Sequence, residues 1–232
     1  MKKQFLLSLM LLGASATAQD YQLEIGAEYE TNDSADVLGV SAQGFFSQVK
    51  TEGHALREAA FMERKSNIYG SYLALDIDGS DSSDNAGEIG LQLFIPQIYG
   101  YIEPMYREDD DGDWGVRAGF TPIKGLLLTT TYWDEPGYDA NLQAKYVADL
   151  PGSDAVNVEF SYYDGEEDDT VEFELDYYFG PALSLGAVIN HTVDTNYTIQ
   201  GEKFFAERFA VNASYTFGEN DDTVGIGMSY RF

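Results

Sequence analysis

From Tyr21 onward the chain alternates. Tyr21, Leu23, Ile25, Ala27 and Tyr29 share one parity, while Gln22, Glu24, Gly26, Glu28 and Glu30 share the other, the period of two that a β-strand imposes on its side chains. The rhythm returns in Leu38, Val40, Ala42 and Phe46, in Tyr69, Leu73, Leu75 and Ile77, and in Ile89, Leu91, Leu93 and Ile95. It continues through Trp114 to Phe120, Ala140 to Tyr146, Val156 to Tyr162, Val171 to Phe179 and Val224 to Phe232. No charged residue falls on these apolar parities. A Lys or Arg facing lipid at mid-bilayer costs roughly 2–4 kcal/mol, so charge purged from one parity alone points to strands with hydrocarbon on one side and water on the other.

The connections are of two kinds. Asn32 to Asp36, Asp78 to Gly87, Arg107 to Asp113, Asp134 to Tyr138, Asp164 to Asp169, Asp194 to Asn196 and Glu219 to Asp222 are acidic, whereas Pro96-Gln97, Pro122 to Gly125, Leu150 to Asp154 and Gly180-Pro181 are short and marked by Pro or Gly. In outer-membrane barrels the external loops are the longer ones, which places the acidic set outside the cell. Such barrels also use an even number of strands. Two strands at Tyr197–Phe204 and Phe209–Phe217, around Ala206-Glu207-Arg208, satisfy that rule. The expectation is an all-β, transmembrane, antiparallel up-and-down β-barrel of about 14 strands, with roughly 12 to 16 open, formed by residues 19–232 as one domain. Ile98 to Tyr106 is its poorest strand, with apolar residues on both parities and Pro104 inside it.

A mean hydropathy of −0.28 is ordinarily that of a soluble protein. For strands that show lipid at every second residue, the average is uninformative. The formal charge of −27 excludes nucleic acid as a partner, and 14% aromatic residues set the chain apart from acidic disordered sequences. With no cysteine, disulfides, thiol catalysis and Cys-based metal sites are absent. At the start, Lys2 and Lys3, the apolar run Phe5 to Leu12 and Ala16-Thr17-Ala18 have the three parts of an export signal, so residues 1–18 are expected to be cleaved. The apolar run falls well short of the ~20 residues of a membrane-spanning helix.

Gln48 to Asn67 breaks the rhythm. Ala55 to Arg64 consists almost wholly of good helix formers, so a short helix is expected near residues 55–64. The segment also gathers Lys50, His54, Arg57, Arg64 and Lys65. It reads either as a periplasmic connector or as a piece folded into the barrel mouth, where Arg57, Arg64 and Lys65 would form a constriction against inward carboxylates.

By alternation the pore wall carries Glu24, Glu28, Glu30, Asp76, Glu159, Glu172, Glu174 and Asp176, opposed by Arg117, Lys145 and Arg231. Such a lumen favours small cations and neutral polar solutes. Asp109-Asp110-Asp111-Gly112-Asp113 offers oxygen ligands but lacks the EF-hand spacing and its distal Glu, so no metal or cofactor is expected. His54 and His191 are the two candidate histidine bases, and nothing in the sequence brings Ser184 or Asn190 to His191, so no catalytic residue is assigned.

Glu58-Ala59-Ala60-Phe61 followed by Arg64, Ser66 and Asn67 resembles a segment shared by a family of general porins of Gram-negative bacteria. Gly119 to Pro122 leading to Gly125 to Leu128, Asp176 to Phe179 leading to Leu183 to Gly186, and the closing Ser229-Tyr230-Arg231-Phe232 are similar too. The resemblance implies an outer-membrane barrel for passive diffusion of small polar solutes, in contact with lipid and lipopolysaccharide, and carries over no catalytic residues. The ending Tyr230, Phe232 looks like the signal by which barrel-assembly machinery recognises its clients. The alternative is a plugged structural or adhesive barrel that acts through its acidic external loops. A monomer and a trimer are both compatible with the pattern.

Overall fold

A computed structural model describes residues 20–77, 83–108, 112–134, 141–164, 168–218 and 222–232. The strands are β1 (Tyr21–Thr31), β2 (Ala35–Val49), β3 (Asn67–Ile77), β4 (Ser83–Ile95), β5 (Gly100–Glu108), β6 (Asp113–Phe120) and β7 (Leu126–Trp133). They continue with β8 (Asn141–Asp149), β9 (Ala155–Tyr163), β10 (Thr170–Tyr178), β11 (Leu183–His191), β12 (Thr195–Ala206), β13 (Phe209–Phe217) and β14 (Thr223–Arg231). Each pairs antiparallel with its sequence neighbours, and β1 closes on β14 from Glu24↔Arg231 to Thr31↔Val224. Closure leaves no sheet edge, so strand hydrogen bonding is satisfied within the wall. The result is a fourteen-stranded up-and-down barrel, with one short helix, α1 (Ala59–Met62), between β2 and β3.

Large apolar side chains lie mostly on the outside. Leu142, Phe160, Leu175, Leu185, Ile199 and Ile226 are all exposed, whereas their strand neighbours of the other parity line the interior. A soluble protein cannot leave so continuous an apolar belt to water. Tyrosines hold the belt's rims with their rings against lipid and their hydroxyls on acids: Tyr29 donates to Asp36 at 2.7 Å and Tyr215 to Asp222 at 2.5 Å on one rim, Tyr177 to Asp154 at 2.7 Å on the other. The Tyr177 hydroxyl and the Gly180 N–H hold the Asp154 carboxyl below its usual range. Glycine is required at the turn before β7: Gly125 has φ +78°, and a Cβ there would lie 2.0 Å from the Val147 carbonyl oxygen.

This two-faced wall makes a parity-specific expectation. Ile199→Arg, on the lipid face of β12, should destabilise the folded protein in lipid vesicles by about 2–4 kcal/mol. Thr198→Arg, one residue away on the lumen face, should cost far less. Denaturant titration in vesicles measures both.

Register corrects the sequence reading in β3 and at Tyr21, and element bounds refine it at the helix and at β4. In β3, Tyr69 pairs with Gln43 and Leu73 with Gly39, which share the inward face with Glu28. Tyr69, Leu73 and Leu75 therefore face the lumen, and Asp76, expected in the pore wall, pairs with Asp36 on the outer face near the external rim. Both β3 parities are apolar, so periodicity alone cannot choose between them. Tyr21, expected toward lipid, is buried because a bulge between Tyr21 and Leu23 turns it inward. The helix spans only Ala59–Met62, closed by bonds from Lys65 N–H to the Ala60 carbonyl and from Arg64 N–H to Phe61, with Arg64 left-handed at φ 50°. Finally, β4 starts at Ser83, so part of the expected loop Asp78 to Gly87 is strand. Asp109 to Asp111 and Ala140 lie outside the described residues, as does the side chain of Ile77.

Candidate functional site

The chain leaves β2 at the buried Val49 and, instead of turning along the rim, enters the barrel. Apolar contacts fix it on three sides: Ala59 against Tyr21, Phe45 and Val49; Ala55 against Ala155 and Tyr178; Leu56 against Phe204 and Ala210. Its backbone is tied too, since the Leu56 N–H donates to the Pro181 carbonyl at 2.8 Å and the Leu56 carbonyl accepts from Arg231 at 2.9 Å. Burying Leu56 alone contributes about 1.5–3 kcal/mol to this docking. Residues 50–66 thus fold into the barrel mouth at the end of the short Pro- and Gly-marked turns, the second of the two readings their composition left open.

Polar contacts complete the dock. Glu58, 2% exposed, accepts from Tyr178 at 2.7 Å and pairs with Lys145 at 2.9 Å. Lys145 also meets Glu159 at 2.8 Å, Asn157 bridges Glu159 and Asp176, and Gln200 bridges Glu174 and Asp176. A second network centres on the buried Glu103, which accepts from Tyr101 at 2.6 Å, from Arg117 and Tyr69 at 2.8 Å, and from Gln92 at 3.2 Å. In a third, Arg231 pairs with Glu24 at 2.5 Å and lies over the rings of Tyr21 and Phe204.

Strand register places Glu24, Glu28, Glu30, Arg117, Lys145, Glu159, Glu172, Glu174, Asp176 and Arg231 on the lumen face, and Asp76 outside it. The three cations expected at the constriction separate. Arg57 projects into the lumen, and Lys65 lines the cavity beside Gln43 and Phe61 while pairing with Glu63 at 3.6 Å. Arg64 donates instead to the Ile123 carbonyl at 3.1 Å, because its left-handed backbone turns it toward the connection between β6 and β7. Burial works against the Arg57 charge, yet Glu202, Tyr178, Asp176 and Glu58 outweigh it and hold the guanidinium above its ordinary pKa.

The sequence reading missed Glu58, Glu88, Glu103 and Glu202. For Glu88, Glu103 and Glu202 the available signal was parity, each sharing a face with lumen amides such as Gln92 and Gln200. Glu58 lies outside any strand, and its partner Tyr178 is 120 residues away. The histidines stand apart: His54 sits 3.7 Å from both Glu63 and Asp149, and His191 bonds Thr195 on the outer face of β11. Ser184 faces the lumen, so it and His191 lie on opposite sides of the wall. Among the described residues no group of three His, Asp or Glu is arranged to hold a metal.

Known proteins bear on this geometry. A family described as "Putative general bacterial porin" matches residues 1–132. No curated protein matches the sequence. Among solved structures, the outer membrane protein Omp33 of Acinetobacter baumannii superposes with a TM-score of 0.80 at 21% identity, covering 93% of this chain and 100% of that one. The KdgM porin, solved in complex with disordered oligogalacturonate, gives 0.53 at 12% identity, covering 90% and 99%. At these identities the structures speak for the shared barrel, and the family match speaks for descent. The chain belongs to the general bacterial porin family, and is an outer-membrane β-barrel of that family.

Proposed function

We propose that this porin is a diffusion pore whose lumen admits small cations and neutral polar solutes in preference to anions, narrowed at its periplasmic mouth by residues 50–66. The observation that carries the reading is the charge of the inward parity. Glu24, Glu28 and Glu30 on β1, Glu172, Glu174 and Asp176 on β10, and Glu202 on β12 face the lumen, whereas Arg117, Lys145 and Arg231 are each closed on a carboxylate. A low-dielectric wall of one sign concentrates counter-ions along the passage. The zero-current potential of the protein in a planar bilayer under a KCl gradient tests it. Cation preference is expected, and anion preference overturns the selectivity.

A closed barrel is the second reading, favoured by the burial of Val49, Leu56 and Ala59 across the mouth. Swelling of protein-bearing liposomes in erythritol separates the two: a pore gives swelling and a plugged barrel gives none. Arg57 and Arg64 make a sharper pair. Arg57→Ala should raise single-channel conductance because it removes a side chain from the lumen, and Arg64→Ala, at the rim, should leave it near the parent value. We also propose that residues 1–18 are removed on export, that lipopolysaccharide meets the outer rim, and that Tyr230 and Phe232 guide the assembly machinery.

A further inference from the structure

Arg57 differs from the cations of the wall. Arg117, Lys145 and Arg231 each hold a carboxylate within 3 Å. Arg57 forms no ion pair and no side-chain hydrogen bond with any described residue, although Glu202, Asp176 and Glu58 lie near enough to act on its charge. The backbone that carries it is fixed on both sides. Leu56 before it is tied to Pro181 and Arg231, and Glu58 after it to Tyr178 and Lys145. A planar fork of five donors therefore enters the lumen from a fixed point.

On the side of β1 and β12 the space facing that fork carries mostly charge of the opposite sign. Arg57 lines a cavity of about 300 Å³ together with Glu24, Glu28, Glu202, Asn212 and Arg231, which is closed on Glu24, and one of about 220 Å³ with Glu28, Glu30 and Gln200. On its other side it borders a cavity of about 440 Å³ where Lys65, Arg117 and Lys145 also stand. Small-molecule sites run from about 300 to 1,000 Å³, so the first of these is of a size to seat a small solute. An anion of that size would gain the guanidinium but meet the carboxylates. A cation would gain the carboxylates but meet the guanidinium. A molecule with both charges on one short frame satisfies both walls at once.

We propose that Arg57, with Glu24, Glu28 and Glu202 facing it, forms a binding station for small zwitterions of the free α-amino acid class, the carboxylate on the guanidinium fork and the ammonium on the opposite acids. The station rests on the pore reading for access of solute, but not for binding itself.

Three probes of one carbon frame test it by calorimetry on the detergent-solubilised full chain: alanine, lactate, which lacks the ammonium, and alaninol, which lacks the carboxylate. Saturable alanine binding is expected, with lactate and alaninol weaker by about tenfold or more, the factor that a charge-assisted contact contributes. Arg57→Gln should weaken alanine binding by a similar factor. Should that variant fail to form the barrel, Glu202→Gln, from the opposite wall, should do the same. In liposomes the alanine-to-erythritol ratio of swelling rates should fall in either variant.

Equal binding of the three probes, or alanine binding that survives both substitutions, overturns the station. Swelling in erythritol with no alanine binding overturns the station and leaves the pore standing. Arg57-dependent alanine binding without swelling in any solute keeps the station and removes the pore.

Discussion

Glu58→Ala should release residues 50–66 from the lumen wall, giving a larger and noisier single-channel current. Glu58 is 2% exposed and holds two partners on different strands, Tyr178 on β10 and Lys145 on β8. Removing it leaves the buried Tyr178 hydroxyl without its acceptor, while Lys145 keeps Glu159. Losing charge-assisted contacts of this kind costs on the order of 2–4 kcal/mol. Since each 1.4 kcal/mol is about tenfold in an equilibrium, the undocked population rises by one to three orders of magnitude. Glu58→Gln should fall between, because an amide oxygen still accepts from Tyr178 but forms no ion pair. A parent-like current from a barrel of unchanged circular dichroism would show that the segment does not set the passage.

The second large effect is expected at Arg231→Ala. Arg231 is 3% exposed, pairs with Glu24, donates to the Leu56 carbonyl, and lies 4.5 Å from the Tyr21 ring and 4.6 Å from the Phe204 ring. It joins the closing strand pair, the inward segment and β12 through one side chain. Its loss strands a carboxylate and a carbonyl in the same pocket, a change that typically costs about 3–5 kcal/mol. Arg231→Lys should recover only part of that, having charge but neither fork nor planar face. Denaturant unfolding in lipid vesicles reads both. An alanine variant within about 1 kcal/mol of the parent would contradict the role.

Where one parity is strictly apolar and the other polar, as in Val171 to Tyr177 on β10, or merely small, as Gly225, Gly227 and Ser229 on β14, alternation alone settles which face meets lipid. β3 shows the limit of that logic. Ile68, Tyr72 and Ala74 are as greasy as Tyr69, Leu73 and Leu75, and the tie is broken by pairing with β2 and β4, which no local window contains. Asp76 went to the wrong face with the rest of its strand. A single bulge likewise reversed Tyr21.

In the site, the charges that lie on regular strands were legible, and those set by tertiary contacts were not. Arg57 and Arg64 are seven positions apart in a similar sequence context. One enters the lumen and the other grips the rim, a difference made by the left-handed backbone at Arg64 and by the carbonyl of Ile123. The expected helix is reduced to one turn because the Leu56 N–H bonds to the Pro181 carbonyl on the barrel and Arg64 turns left-handed at the other end.

The chain has no cysteine, so single cysteines can be introduced one at a time along β10 and β3 in lipid vesicles and reacted with a membrane-impermeant thiol reagent. Positions 172 and 174 should react and 173 and 175 should not; on β3, positions 73 and 75 should react and 72 and 74 should not. Equal reactivity of both parities, or reaction at 72 and 74 in place of 73 and 75, would contradict a wall with water inside and hydrocarbon outside in this register.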